Sequence, residues 1–266
     1  MAHQALHAPL HRRGHGGLAR YGVVLSHGFT GSPESIRPWA EDLAEAGFTV
    51  SMPLLTGHGT QWQDLIDVSW QRWYTDIEAA YLDLASHCDA VFVAGLSMGG
   101  ALALRLAEHH PVAGLALVNP VMAVDSPLAG LAGLLRHIAP SVPSIGDDIL
   151  RPGMTEYAYS RTPVAAVRQL CLLLKDTRPK LYKVHAPLTL FRSEVDHVVS
   201  PRSSRIIQGR VSSREVRTIV LRNSYHVATL DHDAGEIFSR TKLFFQEITE
   251  TIRALLDLES AEEKHG

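Results

Sequence analysis

Short apolar runs alternate with longer segments of helical periodicity along most of this chain. Six runs have the length and composition of buried strands, at residues 22–26, 49–55, 90–94, 115–119, 188–191 and 216–221. Segments with an apolar helical face cover residues 33–46, 70–85, 98–107 and 235–256. Strands that are joined through helices run parallel, so the pattern predicts an α/β fold with a mostly parallel central sheet flanked by helices.

Composition limits the function classes that remain. The chain has 266 residues with a mean hydropathy of +0.01, which excludes a disordered or fibrous protein. Lys and Arg number 25 against 28 Asp and Glu, which gives a net charge of -3. The chain therefore lacks the excess of basic residues that is typical of a nucleic-acid-binding protein. No apolar run has the length of a membrane span, and residues 1–17 lack the apolar stretch of a signal peptide. We expect a soluble, cytoplasmic protein in which Cys88 and Cys171 are free thiols.

Both ends of the chain are expected to lie outside the folded core. The first 17 residues are rich in His, Gly and Arg, with histidines four residues apart at His3, His7, His11 and His15. A helix would align these four as metal ligands, but Pro9 and Gly14 disfavour a helix. We therefore predict a disordered tail at 1–17 rather than a metal site. A flexible tail is predicted at 259–266. No metal or cofactor is expected for the protein.

A long segment interrupts the alternation of strands and helices. Roughly 65 residues separate the fourth predicted strand from the fifth, which is longer than a usual crossover. Residues 128–138 carry a stripe of leucines and one isoleucine, diluted by Gly130 and Gly133. We predict a mobile cap at 120–185 inserted into a core of residues 18–119 and 186–258; an ordinary extra helical layer is the alternative.

The sequence Gly95-Leu96-Ser97-Met98-Gly99 lies between a predicted strand and a predicted helix. Such a sharp turn holds its serine in a strained backbone and exposes the hydroxyl, next to the positive end of the helix dipole. Gly95 and Gly99 are required because side chains there would collide with the neighbouring helix and strand. Ser97 is therefore the candidate nucleophile.

A serine nucleophile needs a base and an acid that orients it. In this architecture both follow the serine in the chain, each just past a strand at the carboxyl edge of the sheet. Asp196 lies five residues after Phe191, and His226 lies five residues after Leu221. The competing acids are Glu194 and Asp125, and the competing histidines are His109, His110, His137, His185, His197 and His232.

The tetrahedral intermediate of acyl transfer needs two hydrogen-bond donors for its oxyanion. The amide of Met98, next after the serine, is one candidate. The loop after the first predicted strand, His27-Gly28-Phe29-Thr30-Gly31, supplies the amide of Phe29 as the other. We expect His27 to support this loop and His58 to be structural.

These residues together resemble the α/β-hydrolases, and in detail the bacterial monoacylglycerol lipases and small bacterial carboxylesterases. The matching stretches are His27–Pro33, Gly57–Thr60, Gly95–Gly100, Asp196–Val199 and Asn223–Asp231. They span nearly the whole chain apart from the tail, and the last is the most specific. The resemblance implies an eight-stranded parent sheet with a small cap inserted after its sixth strand; the N-terminal segment shows no clear extra strands, so a smaller sheet is expected here.

The resemblance implies a carboxylic ester hydrolase with Ser97, Asp196 and His226 as its triad and Phe29 and Met98 as oxyanion donors. It also implies an apolar tunnel for the acyl chain and a small polar pocket for glycerol. In the cap, Ile145 is the candidate gate and Glu156 is the candidate contact to the head group. The expected reaction is cleavage of monoacylglycerols to fatty acid and glycerol, without cofactor. A broad carboxylesterase and a non-catalytic lipid-binding protein are the alternatives. An apolar cap is further expected to touch lipid transiently or to pair two chains.

Overall fold

The structure, a computed structural model, describes residues 7–125 and 139–263. Its strands are β1 (Leu10–Arg12), β2 (Tyr21–Ser26), β3 (Thr49–Met52), β4 (Ala90–Leu96), β5 (Leu115–Val118), β6 (Ser141–Pro143), β7 (Arg161–Pro163), β8 (Leu188–Ser193) and β9 (Val216–Leu221). Its α-helices are α1 (Arg37–Glu45), α2 (Trp70–Ala85), α3 (Met98–Ala107), α4 (Val164–Thr177), α5 (Pro201–Gln208) and α6 (Ala234–Glu263). Each predicted strand and helix is present, with ends that shift by a few residues.

Within the described residues, seven strands form one sheet in the order β1-β3-β2-β4-β5-β8-β9. Every neighbouring pair is parallel except β1 with β3. The carboxyl ends of β2, β4, β8 and β9 therefore meet at one edge of the sheet, where sites in open α/β folds form. The predicted α/β class with a mostly parallel sheet is confirmed.

Helices cover both faces of the sheet because its central strands are apolar on both sides. On one face, α2, α3 and α4 bury a core that includes Trp73, Leu102 and Leu173. On the other face, α1 and α6 bury Trp39 and a cluster of phenylalanines. The alanines and glycines of α3 allow this helix to pack closely on β2, β4 and β5.

The N-terminal segment departs from the expected disordered tail. Leu10–Arg12 forms an edge strand antiparallel to β3, and the amide of His15 donates to the carbonyl of Gly47. The free backbone groups of β3 explain this order, because an unpaired strand edge accepts any segment that can supply matching donors and acceptors. The N-terminal segment therefore does supply a strand, contrary to the expectation from the sequence, and the sheet has seven strands in the described residues.

The insertion between β5 and β8 adds its own small elements. Strands β6 and β7 pair antiparallel, and α4 follows directly. The apolar stripe at 128–138 lies outside the described residues. We keep the word cap for the described part of the insertion, residues 139–163, which precedes α4.

The longest helix closes the chain. Helix α6 begins at Ala234, and Phe244 and Phe245 of its middle turns are buried against the sheet. Among residues 7–125 and 139–263, no helix is both long enough and apolar enough to cross a membrane.

The phenylalanine cluster predicts where the fold is most sensitive to truncation. Phe245 is fully buried and stacks on Phe92 with ring centroids 4.4 Å apart. We expect Phe245→Ala to lower the free energy of unfolding by about 3–5 kcal/mol, because a large cavity would remain. Leu243→Ala on the same helix is the control, since that side chain is 53% exposed. Urea unfolding measures both, and similar small losses in the two variants would contradict this packing.

Candidate active site

Ser97 lies in the turn between β4 and α3. Its backbone has φ 55° and ψ -115°, a conformation that residues other than glycine rarely adopt. The two flanking glycines make the turn possible. A Cβ on Gly95 would lie 2.4 Å from the carbonyl carbon of Gly99, and one on Gly99 would lie 2.0 Å from the carbonyl oxygen of Ser26. The collision with helix and neighbouring strand expected from the sequence is thus present.

Asp196 and His226 lie on the loops after β8 and β9 and contact each other. The distance from His226 Nδ1 to Asp196 Oδ2 is 2.9 Å. The other carboxylate oxygen, Asp196 Oδ1, accepts the amides of Val198 and Val199 at 2.9 and 2.7 Å. Both side chains are largely buried, so the carboxylate can hold one tautomer and orientation of the imidazole.

Ser97 and His226 line the same cavity, which has a volume of about 560 Å³. Gly28 and Phe29 of the loop after β2 line it as well, as do both cap residues singled out from the sequence. Most of the remaining lining is aliphatic, from the segment after β5, the cap and α4, and includes Val121, Val124, Ala139, Val142, Val164, Val167 and Leu170. The cavity therefore combines a largely apolar lining with a few polar groups, among them Ser97, His226 and Glu156.

Met98 and Phe29, the two expected oxyanion donors, lie on two different elements near Ser97. Met98 is the first residue of α3, and the first amides of a helix have no partner within the helix. Phe29 packs edge-on against Trp73 with ring centroids 5.9 Å apart, which fixes its loop. The two amides are thus on elements that border the cavity.

His27 supports the loop that carries Phe29. Its Nδ1 donates to the carbonyl of Gly28 at 2.9 Å, and its Nε2 accepts the amide of Leu55 at 3.2 Å. Burial lowers the pKa of His27 to about 4, so the imidazole is neutral at pH 7. His58 packs edge-on against it at 5.0 Å, and burial lowers the pKa of His58 too. Both histidines fit the supporting roles expected of them.

The two cap residues differ in their surroundings. Ile145 is 71% exposed at the cavity. Glu156 reaches into it over Gly31, where a Cβ would lie 2.9 Å from Glu156 Oε1. Burial raises the pKa of Glu156 to about 7; His226 opposes this rise, whereas Asp147 and Glu34 add to it. Glu156 is therefore a carboxyl group that changes charge near neutral pH within the cavity.

The cap is anchored beside the loop that carries Phe29. The amide of Tyr159 donates to the carbonyl of Thr30 at 3.0 Å, and its hydroxyl donates to the carbonyl of Gly57 at 2.8 Å. Tyr159 therefore holds the cap against the loop that carries Phe29 and against the backbone of Gly57.

Asn119 is a residue of the site that the sequence did not single out. It follows β5 with φ 43°, a left-handed conformation that asparagine tolerates, and it is buried. Its Nδ2 donates to the carbonyl of His226 at 2.8 Å, and its Oδ1 accepts the amide of Ser193 at 2.8 Å. A lone Asn after a strand gives no signal of this role, because its partners lie 74 and 107 residues away.

The competing acids and histidines have other surroundings. Glu194 is exposed, and Asp125 forms an ion pair with Arg202. His197 bonds to Asp148, and His110 bonds to Glu78. His109, His185 and His232 are not among the residues that line the cavity of Ser97. His137 is outside the described residues.

No group of three or more His, Cys, Asp or Glu side chains that could hold a metal ion occurs in the part of the chain that the structure describes. Of the tail histidines, His7 bonds to Ser32 and His15 to the carbonyl of Glu45, while His3 lies outside the described residues.

A mostly parallel sheet, a serine on a strained strand-to-helix turn, and an Asp–His pair on later loops define the α/β-hydrolase class. Within this class, the family described as serine aminopeptidase, S33, matches residues 18–233, and the chain belongs to this family of serine hydrolases.

The chain is also similar to characterised enzymes. The thermostable monoacylglycerol lipase of Bacillus sp. strain H-257 is 44% identical over 228 residues, which cover 84% of this chain and 90% of the relative. A carboxylesterase of Bacillus subtilis strain 168 is 24% identical over 227 residues, or 85% of this chain and 92% of the relative. A solved structure from work on the metagenome-derived lipolytic enzymes LipS and LipT matches with a TM-score of 0.86 and 39% identity, covering 91% of this chain and 98% of that one.

The neutral, buried imidazole of His27 predicts a pH dependence of stability. The unfolded chain has the ordinary pKa of 6.5 and the folded protein about 4, so between these values the unfolded state binds the additional proton. Stability from this group is complete above pH 6.5 and is lost as the pH falls towards 4. Between pH 7.5 and 5, we expect the wild type to lose about 2 kcal/mol more free energy of unfolding than His27→Gln. Urea unfolding of both proteins measures this difference, and equal losses would contradict it.

Proposed function

We propose that this chain hydrolyses monoacylglycerols to a free fatty acid and glycerol through an acyl-enzyme. The observation that carries the proposal is the cavity that Ser97, His226 and Glu156 share, with its largely apolar lining. An acyl chain gains free energy from such a lining, and a carboxylate accepts hydrogen bonds from the hydroxyls of glycerol. The 44% identical Bacillus monoacylglycerol lipase supports this choice of substrate.

In the proposed mechanism, Ser97 Oγ attacks the ester carbonyl while His226 takes its proton. Asp196 holds the imidazole and stabilises the imidazolium that forms. The amides of Phe29 and Met98 donate to the oxyanion of the tetrahedral intermediate. Collapse of this intermediate expels glycerol, which receives the proton from His226. Water then attacks the acyl-enzyme with His226 again as the base, and the fatty acid leaves as Ser97 is restored.

Two further roles in the cap complete the proposal. Glu156 contacts the glycerol hydroxyls, and Ile145, exposed at the cavity, gates the passage of the acyl chain. Val142 and Val198 also line the cavity and are 42% and 39% exposed, so apolar surface continues from the cavity to the outside. We propose that a cytoplasmic enzyme uses this surface for transient contact with lipid; pairing of two chains through the cap is the competing use, which sedimentation would detect.

The second candidate function is a broad carboxylesterase with the same reacting groups. The Bacillus subtilis carboxylesterase, similar over most of its length, favours this alternative. The two functions differ only in recognition of the alcohol. A lipid-binding protein without turnover is a third reading, which the strained Ser97 and the buried Asp196–His226 pair disfavour.

The nucleophile assignment predicts the result of a single substitution. Ser97→Ala should lower kcat by about 10⁶-fold on any ester, because no other described hydroxyl occupies the turn. A fluorophosphonate probe should label the wild type and leave Ser97→Ala unlabelled. A residual rate within tenfold of the wild type would refute the assignment, and a wild type that does not react with the probe would favour the binding protein.

Alcohol recognition is tested by comparing esters of one fatty acid. We expect kcat/KM for a C12 monoacylglycerol to exceed that for the methyl ester and for the diacylglycerol. The preference for the glyceryl over the methyl ester should rise between pH 6 and 8. The pKa of Glu156 is about 7, so its ionised fraction grows over this interval. The ratio of the two substrates cancels any pH dependence that both reactions share, because the acyl half and the reacting groups are the same.

Glu156→Gln is the matched variant for this comparison. It should reduce the preference for the glyceryl ester roughly tenfold, because the charge-assisted hydrogen bond is lost, and it should remove the pH dependence of the ratio. Equal rates on glyceryl and methyl esters in the wild type would leave the reacting groups in place and establish the carboxylesterase. Equal losses on both esters in Glu156→Gln would contradict the glycerol contact.

A further inference from the structure

The carboxylate of Asp148, in the cap, holds the two loops that carry Asp196 and His226. Its Oδ2 accepts the amide of His226 at 3.1 Å and the amide of His197 at 3.1 Å. Its Oδ1 lies 2.7 Å from Nδ1 of His197, the residue after Asp196. The Asp148 side chain is only 12% exposed. One nearly buried carboxylate therefore joins the base residue to the direct neighbour of the acid residue.

A second carboxylate joins the cap to the loop of His226, but this carboxylate belongs to the loop and accepts amides of the cap. Asp231, from the loop after His226, accepts the amides of Leu150 and Arg151 at 2.7 and 2.9 Å. It also accepts the amide of Tyr225 at 3.0 Å. The carbonyl of Asp148 accepts the amide of Val227 at 3.1 Å. Cap residues 148–151 are thus docked on the loop of His226 at several points.

Asp148 and Asp231 bond to different backbone amides near His226. Asp231 bonds to the amide before His226, whereas Asp148 bonds to the amide of His226 itself. The carbonyl of His226 is already fixed from the sheet side by Asn119. The main chain of His226 is therefore held at its amide from the cap and at its carbonyl from the core, and Asp148 provides the cap side.

We propose that Asp148 is a positioning residue, through which the docked cap sets the separation of the Asp196 and His226 loops and so directs the imidazole towards Ser97. This inference rests on the proposed function, because it assumes that His226 is the base. Small displacements of a base matter: a shift of about 1 Å can cost 10²-fold in rate. The effect falls on kcat, because Asp148 is not among the residues that line the substrate cavity.

Three substitutions at Asp148 separate geometry from charge. Asp148→Ala leaves both loop amides without their acceptor, and kcat on p-nitrophenyl butyrate should fall about 100-fold with KM within about threefold. Asp148→Asn keeps an oxygen for the two amides, and its NH2 can donate to His197 Nδ1, so kcat should stay within about tenfold of the wild type. Asp148→Glu keeps the charge but moves the carboxylate by one methylene, and should lower kcat more than Asn does.

The matched control is Asp76→Ala on α2. Asp76 is also 12% exposed and accepts a backbone amide, from Thr56 at 2.7 Å, but it touches neither the Asp196 loop nor the His226 loop. This variant should lose stability, as Asp148→Ala does, while kcat stays within about threefold of the wild type. The proton on His226 Nδ1 gives an independent reading: its downfield NMR signal should persist in Asp148→Asn and shift or broaden in Asp148→Ala.

Several outcomes would overturn the proposal. A kcat of Asp148→Ala within threefold of the wild type, or a fall no larger than that of Asp76→Ala, contradicts it. If Asp148→Ala does not fold, the kcat values of Asp148→Asn and Asp148→Glu decide. A higher kcat for Asp148→Glu than for Asp148→Asn shows that charge rather than geometry matters, and the proposal fails. Ser97→Ala is assayed beside these variants. Full activity there would refute the proposed function, whereas an inactive Ser97→Ala with a normal Asp148→Ala refutes only the positioning role.

Discussion

The contact of Gly99 with the carbonyl of Ser26 is the constraint on which the rest of the site depends. Because α3 begins so close to β2, the chain must leave β4 through a turn too sharp for an ordinary backbone, and Ser97 absorbs the strain. The tight packing of α3 on three strands over-determines this conformation. It also brings the start of α3 next to the loop after β2, because Gly99 lies close to the carbonyl of His27 as well.

Around this turn, the site is held by backbone polar groups that are buried and must be paired. His27 bonds to the carbonyl of Gly28 in the loop after β2, and Asn119 bonds to the carbonyl of His226 in the loop after β9. Asp196 accepts two amides of its own loop. Each of these side chains bonds to two or more partners, which favours one arrangement of its loop. Rigidity of the site thus comes from short polar side chains rather than from apolar packing alone.

The sequence predicted those parts of the molecule that depend on local patterns. The strands, the helices and the Gly95–Gly99 turn follow from periodicity and from glycine spacing, and the positions of Asp196 and His226 follow from strand ends. The edge strand β1 was missed because its short, His-rich sequence has little strand propensity, and pairing with β3 decides its conformation. The contacts of Asn119 and Asp148 were missed because their partners are far away in the chain and a single Asn or Asp carries no pattern.

Tyr159 and Asp148 lie close together in the chain but bind two different loops that border the cavity. Tyr159 is bonded to the carbonyl of Thr30 in the loop after β2, and Asp148 is bonded to the amide of His226 in the loop after β9. The stretch between them, which includes Glu156 in the lining of the cavity, is therefore held at both ends. Local opening of this stretch would release the loop after β2 and the loop after β9 in a single event, while the sheet and its two apolar cores stayed folded. We therefore expect activity to be lost in one step when this stretch opens, rather than in separate steps as each loop moves.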